Sequence, residues 1–156
     1  MPTSDERFQQ LLDDNQGRLE RLARQYADPA DWQDLLQEIH VQLWLSLDSF
    51  DGRAQLSTWV YRVGLNTAIS HRRRPRLPLG GRVPDSLGDS GAAHDSLDVL
   101  REFLASLGSI DRALLLMDLE DMTREQVAEV LGLSVGAVAV RMTRLKQQFS
   151  QHYLEP

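Results

Sequence analysis

Trp59, Arg62 and Asn66 stand three and four residues apart, and Ser70 and Arg73 continue that spacing into the basic run His71-Arg-Arg-Arg74. On a helix such positions share one face. An aromatic plane beside guanidinium and amide donors suits unstacked nucleic-acid bases, because stacking accepts any base while the polar groups read edges and phosphates. Upstream, Asp34, Gln37, Glu38, Val41 and Leu45 fall on one side of another helical stretch. Two carboxylates among aliphatic side chains make the pattern of a protein-docking surface, apolar at the centre and charged around it. Both are binding chemistries. The residues for turnover are not grouped: His40, His71, His94 and His152 stand singly, cysteine is absent, and neither a His-x-x-x-His pair nor a Gly-rich phosphate loop occurs. No catalytic residue, metal site or cofactor is therefore expected, and His40 is expected to flank the core of its helix. The plainer alternatives are that Trp59 is ordinary core and that the arginines form a solvated face.

Helices must hold these faces in place. From Phe8 to Tyr26 apolar residues recur at helical spacing (Phe8, Leu11, Leu12, Leu19, Leu22, Ala23, Tyr26). Asp28-Pro-Ala-Asp31 breaks that helix, and Asp31 is expected to cap the next one. There Trp32, Leu35, Leu36, Ile39, Leu43 and Leu47 fall on the core side, opposite the docking stripe. After a polar turn from Asp48 to Ser57, a helix from Leu56 to Arg74 is expected to bury Leu56, Val60, Val63, Gly64 and Thr67, with Ser57 or Thr58 capping its start. Pro75 ends it. Residues 75–96 are rich in proline and glycine, with Asp85, Asp89 and Asp95 among them, and read as a flexible linker. Two Leu-rich helices follow, near Ser96–Leu107 and Ser109–Leu119. Thr123-Arg-Glu-Gln126 matches a capping box and opens a short helix that packs through Val127, Ala128, Val130 and Leu131. Gly132-Leu-Ser134 makes a turn, and Ser134 caps a last helix to Phe149 with Val138, Met142, Leu145 and Phe149 inward. Helix, Gly-containing turn and capped helix give a helix-turn-helix signal, against the alternative of two ordinary packed helices. The fold expected is all-α, two small helical domains joined by a linker.

Charge supports directed rather than general contact with nucleic acid. The 156 residues carry a formal net charge of −6, yet residues 51–76 hold 6 Arg against one Asp, while residues 1–50 hold 4 basic and 10 acidic side chains. A basic block inside an acidic chain disfavours unselective binding. No apolar run reaches the roughly 18 residues of a membrane span, and the N-terminus has no signal-peptide pattern, so a cytoplasmic protein without membrane insertion is expected.

Taken in order, these fragments resemble the extracytoplasmic-function (ECF, group IV) sigma factors of the sigma-70 family. Asp34-Leu-Leu-Gln-Glu38 through Arg74 looks like region 2, and Ile110 to Phe149 like region 4; Phe50-Asp-Gly-Arg53, Ser57-Thr-Trp59, Tyr61-Arg62 and Asn66 match in order and spacing. The resemblance implies region 2 at 1–74, a linker at 75–96 and region 4 at 97–156. It also implies a factor that binds core RNA polymerase and opens a promoter. Asp34, Gln37, Glu38 and Val41 would meet the β′ clamp helices, and the other domain the β flap. Asp51, Arg53, Ser57, Thr58, Trp59, Arg62 and Asn66 would hold the opened −10 strand, with Arg72, Arg73 and Arg74 on its backbone. Arg124, Ser134, Gly136, Ala137, Ala139, Val140, Arg141 and Arg144 would face the −35 duplex. A cognate anti-sigma factor is the other partner implied. The chain departs from the pattern where the family often has Thr, Lys and Ser, at Ala137, Ala139 and Val140, and at Met117 (often Arg) and Asp121 (often Gly).

From Asp98 onward 6 basic residues face 9 acidic ones. Phosphate contacts supply much of DNA affinity, so this half alone is expected to bind duplex weakly, with alanine and valine left to touch thymine methyl groups or another protein. Two rival functions follow: a sigma-like adaptor or decoy that selects no promoter, and a repressor or activator using the helix-turn-helix alone. The second leaves the Asp34–Arg74 block unexplained.

Overall fold

The computed structural model describes residues 1–73 and 96–154, with side chains for 1–71 and 98–153. Arg74 and the expected linker up to Asp95, with His94 and its acidic residues, lie outside the described residues, as do the side chains of Arg72 and Arg73. Seven α-helices are described: α1 Ser4–Tyr26, α2 Trp32–Ser46, α3 Leu56–Arg73, α4 Ser96–Ser106, α5 Ser109–Leu119, α6 Arg124–Leu131 and α7 Val135–Phe149. A 3-10 turn at Leu47–Ser49 follows α2, and a π turn at Ser150–Leu154 follows α7. No strand occurs among the described residues, and the helices form two domains, α1–α3 and α4–α7.

Local chemistry sets most boundaries. α1 starts earlier than its apolar spacing suggests, because Thr3 and Glu6 form a reciprocal capping box with bonds of 3.1 and 2.8 Å. It ends at Ala27, which is extended just before Pro29. Asp31 takes the N-cap position of α2, but its side chain makes no capping bond. The backbone closes that turn instead, with the Asp31 and Trp32 amides donating to the Asp28 carbonyl at 2.8 and 3.1 Å.

The first core is a three-helix packing of α1, α2 and α3 around Leu19, Leu22, Leu35, Ile39, Leu43 and Leu65. Each such side chain contributes roughly 1.5–3 kcal/mol by leaving water. Gly64 lets the three axes close: a Cβ there would stand 3.0 and 3.1 Å from the Leu19 and Leu22 methyls and 3.6 Å from Ile39. The inward face of α3 differs from the expected one. Leu56 is 41 % exposed, whereas Thr58, Tyr61, Leu65 and Ala68 are buried with Val60 and Gly64. The helix begins at Leu56, so Ser57 and Thr58 lie within its first turn instead of capping it, and the 58-61-65-68 spacing turns inward. Burial raises the Tyr61 hydroxyl well above the ordinary phenol value.

In the second domain the stripe Val138, Met142 and Leu145 of α7 is buried, and Phe149 packs edge-on to Phe103 at 5.2 Å. Arg112 of α5 is the buried charge, 2 % exposed. Its guanidinium donates to the carbonyls of Leu104 (2.9 Å), Ala105 (3.1 Å) and Leu107 (3.3 Å), where α4 ends, and to Gln25 (3.4 Å), where α1 ends. It thereby serves orphan carbonyls of two helix C-termini, whose partial negative charge offsets its own.

Candidate nucleic-acid and partner interfaces

On α2, Asp34, Gln37, Val41 and Leu45 are exposed along one face. Glu38 is half-buried and differs from them: its Oε2 lies 2.9 Å from His71 Nδ1 on α3. One carboxylate of the stripe is thus tied to the neighbouring helix. Trp44 completes the face; it is exposed and meets the edge of Phe8 at 5.1 Å. Its place three residues beyond Val41 was the available signal for including it. His40 beside this face is half-buried, and burial holds its imidazolium below the ordinary value.

The loop before α3 turns on Asp51, whose carboxylate accepts from the Arg53 amide at 3.0 Å and pairs with the Arg53 Nε at 3.2 Å, both side chains open to solvent. An exposed pair of this kind is worth roughly 0–1 kcal/mol and yields readily to a phosphate. Trp59 is half-buried and leans on Phe50, with ring centroids 5.3 Å apart at 51°. Arg62 and Asn66 are exposed on the following turns, and Ser57 is half-buried. Thr58 stands apart from the expected set: it is 2 % exposed and its buried hydroxyl has no partner. Its side chain points to the core because position 58 belongs to the inward stripe. The loop, Phe50, Trp59, Arg62 and Asn66 therefore compose one wall, next to the exposed face of α2 but on a different helix.

The helix-turn-helix is built as its local chemistry requires. Thr123 and Gln126 cap α6 reciprocally at 2.9 and 3.1 Å. Gly132 takes the left-handed conformation (φ 70°) that a side chain would resist, and Ser134 caps α7 by accepting from the Ala137 amide at 3.1 Å. The chain bends by 102° between α6 and the helical stretch from Val135 to Tyr153, within the range for such a motif. Arg124 is exposed in the first turn of α6. On α7, Ser134, Gly136, Arg141 and Arg144 are exposed, Val140 is 53 % exposed, and Ala137 and Ala139 are half-buried. Val135, exposed beside Gly136, extends this small apolar face. Arg141 is not idle: its Nη1 donates to Asp111 of α5 at 2.9 Å. No single described helix is long and apolar enough to cross a membrane.

Comparison with known proteins agrees with this arrangement. The family model for Sigma-70 region 2 matches residues 11–76, and that for Sigma-70 region 4 matches residues 97–149. The RNA polymerase sigma factor CnrH of Cupriavidus metallidurans is 31 % identical over 92 % of this chain and 84 % of its own. The ECF RNA polymerase sigma-E factor of Haemophilus influenzae is 27 % identical over 90 % of this chain and 84 % of its own. Among solved structures, CnrH in complex with the cytosolic domain of CnrY superposes with a TM-score of 0.69 at 27 % identity, covering 92 % of this chain and 85 % of that one. The sigma factor RpoE bound to the anti-sigma factor NepR, from Bartonella quintana, gives a TM-score of 0.70 over 92 % of this chain and 94 % of that one; at 21 % identity it bears on the fold.

Proposed function

Because this chain belongs to the sigma-70 family as an ECF sigma factor, which directs promoter-specific transcription initiation, we propose that its two surfaces divide that work. The observation that carries the division is their placement on adjacent helices of one domain: carboxylates and aliphatics on α2, an aromatic wall with free Arg and Asn on α3. Asp34, Gln37, Val41, Leu45 and Trp44 form the face for the β′ clamp helices of polymerase, with Glu38 held at its edge by His71. The second domain meets the β flap. Domain limits of 1–74 and 97–156 about a 75–96 linker fit the two matched regions.

Promoter opening on this reading is a binding reaction without an acid, base or nucleophile. Phe50 and Trp59 present an aromatic surface to a base that has left the duplex, while Arg53, Ser57, Arg62 and Asn66 supply donors for its edge and phosphates. Contacts available only to the unstacked strand offset the few kcal/mol that unstacking costs. Arg72, Arg73 and Arg74 continue along its backbone. Arg124, Arg141 and Arg144 position α7 on the −35 duplex, with Val140 and the alanines against thymine methyl groups. Polymerase and promoter DNA set the working compartment, so the chain acts in the cytoplasm. The complex of RpoE with the anti-sigma factor NepR among its structural relatives supports a cognate inhibitor here too.

Run-off transcription with core polymerase tests this. Asp34→Lys is expected to abolish core binding and output together, while Trp59→Ala leaves core binding intact and weakens open-complex formation by roughly 1–3 kcal/mol, the worth of one base–aromatic stack. Wild-type protein that neither binds core nor starts transcription at a defined site would sink the reading, and so would a core affinity indifferent to Asp34.

A further inference from the structure

The two domains are clasped to one another, and polar bonds tie the clasp along its length. Glu120, in the turn between α5 and α6, is only 13 % exposed at its side chain because two arginines of α1 close on it. Arg21 donates to both Glu120 oxygens, through Nε and, at 2.7 Å, through Nη2. Arg18 adds a 3.2 Å bond to the Glu120 carbonyl and a 3.6 Å ion pair. The next residue, Asp121, is the one described non-glycine residue with positive φ (59°), a backbone conformation that costs energy. Two further bonds run along the same seam: the Tyr26 hydroxyl donates to the Ser109 carbonyl at 2.8 Å, and Arg112 reaches Gln25. At the far end Gln126 of α6 donates to Gln55, the residue immediately before α3, at 2.9 Å, and α6 packs on α3.

This arrangement is at odds with promoter contact by both domains. Elements at −10 and −35 lie about 25 nucleotides apart, roughly 85 Å along a duplex at 3.4 Å per step. A compact chain of this length is only about 40 Å across. The intervening sequence, at roughly 3.5 Å per residue, can span roughly 75 Å and so permits separation. A cleft of about 840 Å³ opens onto the seam, lined by Arg24, Trp32, Leu100, Leu104 and Leu119 among others, so apolar packing between the domains is interrupted there. Relative motion is the default for domains within one chain unless their interface is large and hydrophobic.

We propose that Glu120, gripped by Arg18 and Arg21, latches the factor shut with α6 over the start of α3, and that promoter-directed output is limited by the fraction of molecules in which this latch is open. The inference rests on the promoter reading given above. Simultaneous contact by both domains is available only in the open fraction, and its apparent affinity is reduced by that fraction, so weakening the latch is expected to raise output at limiting factor by up to about fivefold.

The absence of cysteine allows a clean test. Arg7→Cys in α1 and Gln148→Cys in α7, both at exposed positions, accept a donor and acceptor dye in the full chain. Wild type is expected to give high energy transfer, Glu120→Gln and Glu120→Arg a growing low-transfer population, and Arg18→Glu/Arg21→Glu/Glu120→Arg a return toward wild type. Run-off transcription with limiting factor is expected to rise and fall in step. Tyr26→Phe, which removes one seam bond without touching charge, opens the chain to a smaller degree. Folded Glu120 variants, by circular dichroism, with wild-type transfer overturn the latch. Opening without a rise in output overturns its regulatory role. Should wild-type protein start no specific transcript, the promoter reading fails, and the transfer measurement still decides whether Glu120 holds the domains together.

Discussion

Asp111→Asn is expected to tighten the grip of α7 on DNA by releasing Arg141. In the structure the pair is close, 2.9 Å, but the side chains remain 44 % and 38 % exposed. Breaking such a pair costs roughly 0–1 kcal/mol. Asp111 also sits in the first turn of α5, where a carboxylate contributes about 0.3–1 kcal/mol against the helix dipole. The variant therefore loses less than roughly 2 kcal/mol and stays folded. What it gains is one unneutralised guanidinium on the proposed −35 face and one fewer carboxylate repelling phosphate. Each phosphate neutralised steepens the salt dependence of binding by about 0.9 in log K against log salt. Between 50 and 200 mM salt that amounts to an additional loss of roughly 3.5-fold. Anisotropy of a labelled −35 duplex titrated with the full chain at several salt concentrations reads both quantities. We expect several-fold tighter binding at the low-salt end and a slope steeper by about one phosphate, both absent when Arg141→Gln is added. An unchanged slope refutes the reasoning, since Arg141 would then not be a phosphate contact held back by Asp111. A gain that survives Arg141→Gln does so too, by assigning the effect to the carboxylate alone.

Two stability predictions follow from the cores. Arg112→Met keeps the length of the side chain but strands the Leu104, Ala105, Leu107 and Gln25 carbonyls. Relief from desolvating a buried charge offsets part of that, leaving a loss of about 3 kcal/mol, or roughly 10 °C in a thermal melt of this size of chain; a change below about 2 °C would mean the carbonyls find water or other donors. Gly64→Ala and Gly136→Ala both replace a helical glycine, which alone favours alanine by about 0.5–1 kcal/mol. At Gly136 a Cβ meets only the Ser134 hydroxyl at 4.0 Å, so denaturant melts should show stabilisation; at Gly64 it meets two buried leucine methyls at 3.0 and 3.1 Å, and overpacking of about 1–3 kcal/mol reverses the sign. Equal shifts for the two alanines would refute the close-packing role of Gly64.

What could be read from the sequence was what local chemistry decides. The turn Thr123–Ser134 is specified by two caps and a left-handed glycine, all of them contacts within four residues, and the helix-turn-helix is found where those signals put it. The inward face of α3 is harder to read. Thr58 and Tyr61 carry polar atoms that argue for solvent, and only packing against α1 and α2 turns them in. Of the expected stripe, Val60 and Gly64 are buried, but Leu56 is exposed and Val63 and Thr67 are half-buried. The contacts between domains lie further still from legibility, since Arg21 and Glu120 are 99 residues apart in sequence. A count of charges shows their balance but not their partners. Of the six basic side chains from Asp98 onward, Arg112 is buried on carbonyls, while Arg101, Arg141 and Lys146 face Asp98, Asp111 and Asp118. Arg124 and Arg144 are left with no ion pair to a described residue. Two such guanidiniums support only a shallow salt dependence in the free domain, of slope about 2. On the proposed −35 reading, a domain so lightly charged is expected to gain its register on duplex DNA from being held there by polymerase and by region 2, so discrimination at −35 is expected to depend on the holoenzyme more than on α7 itself.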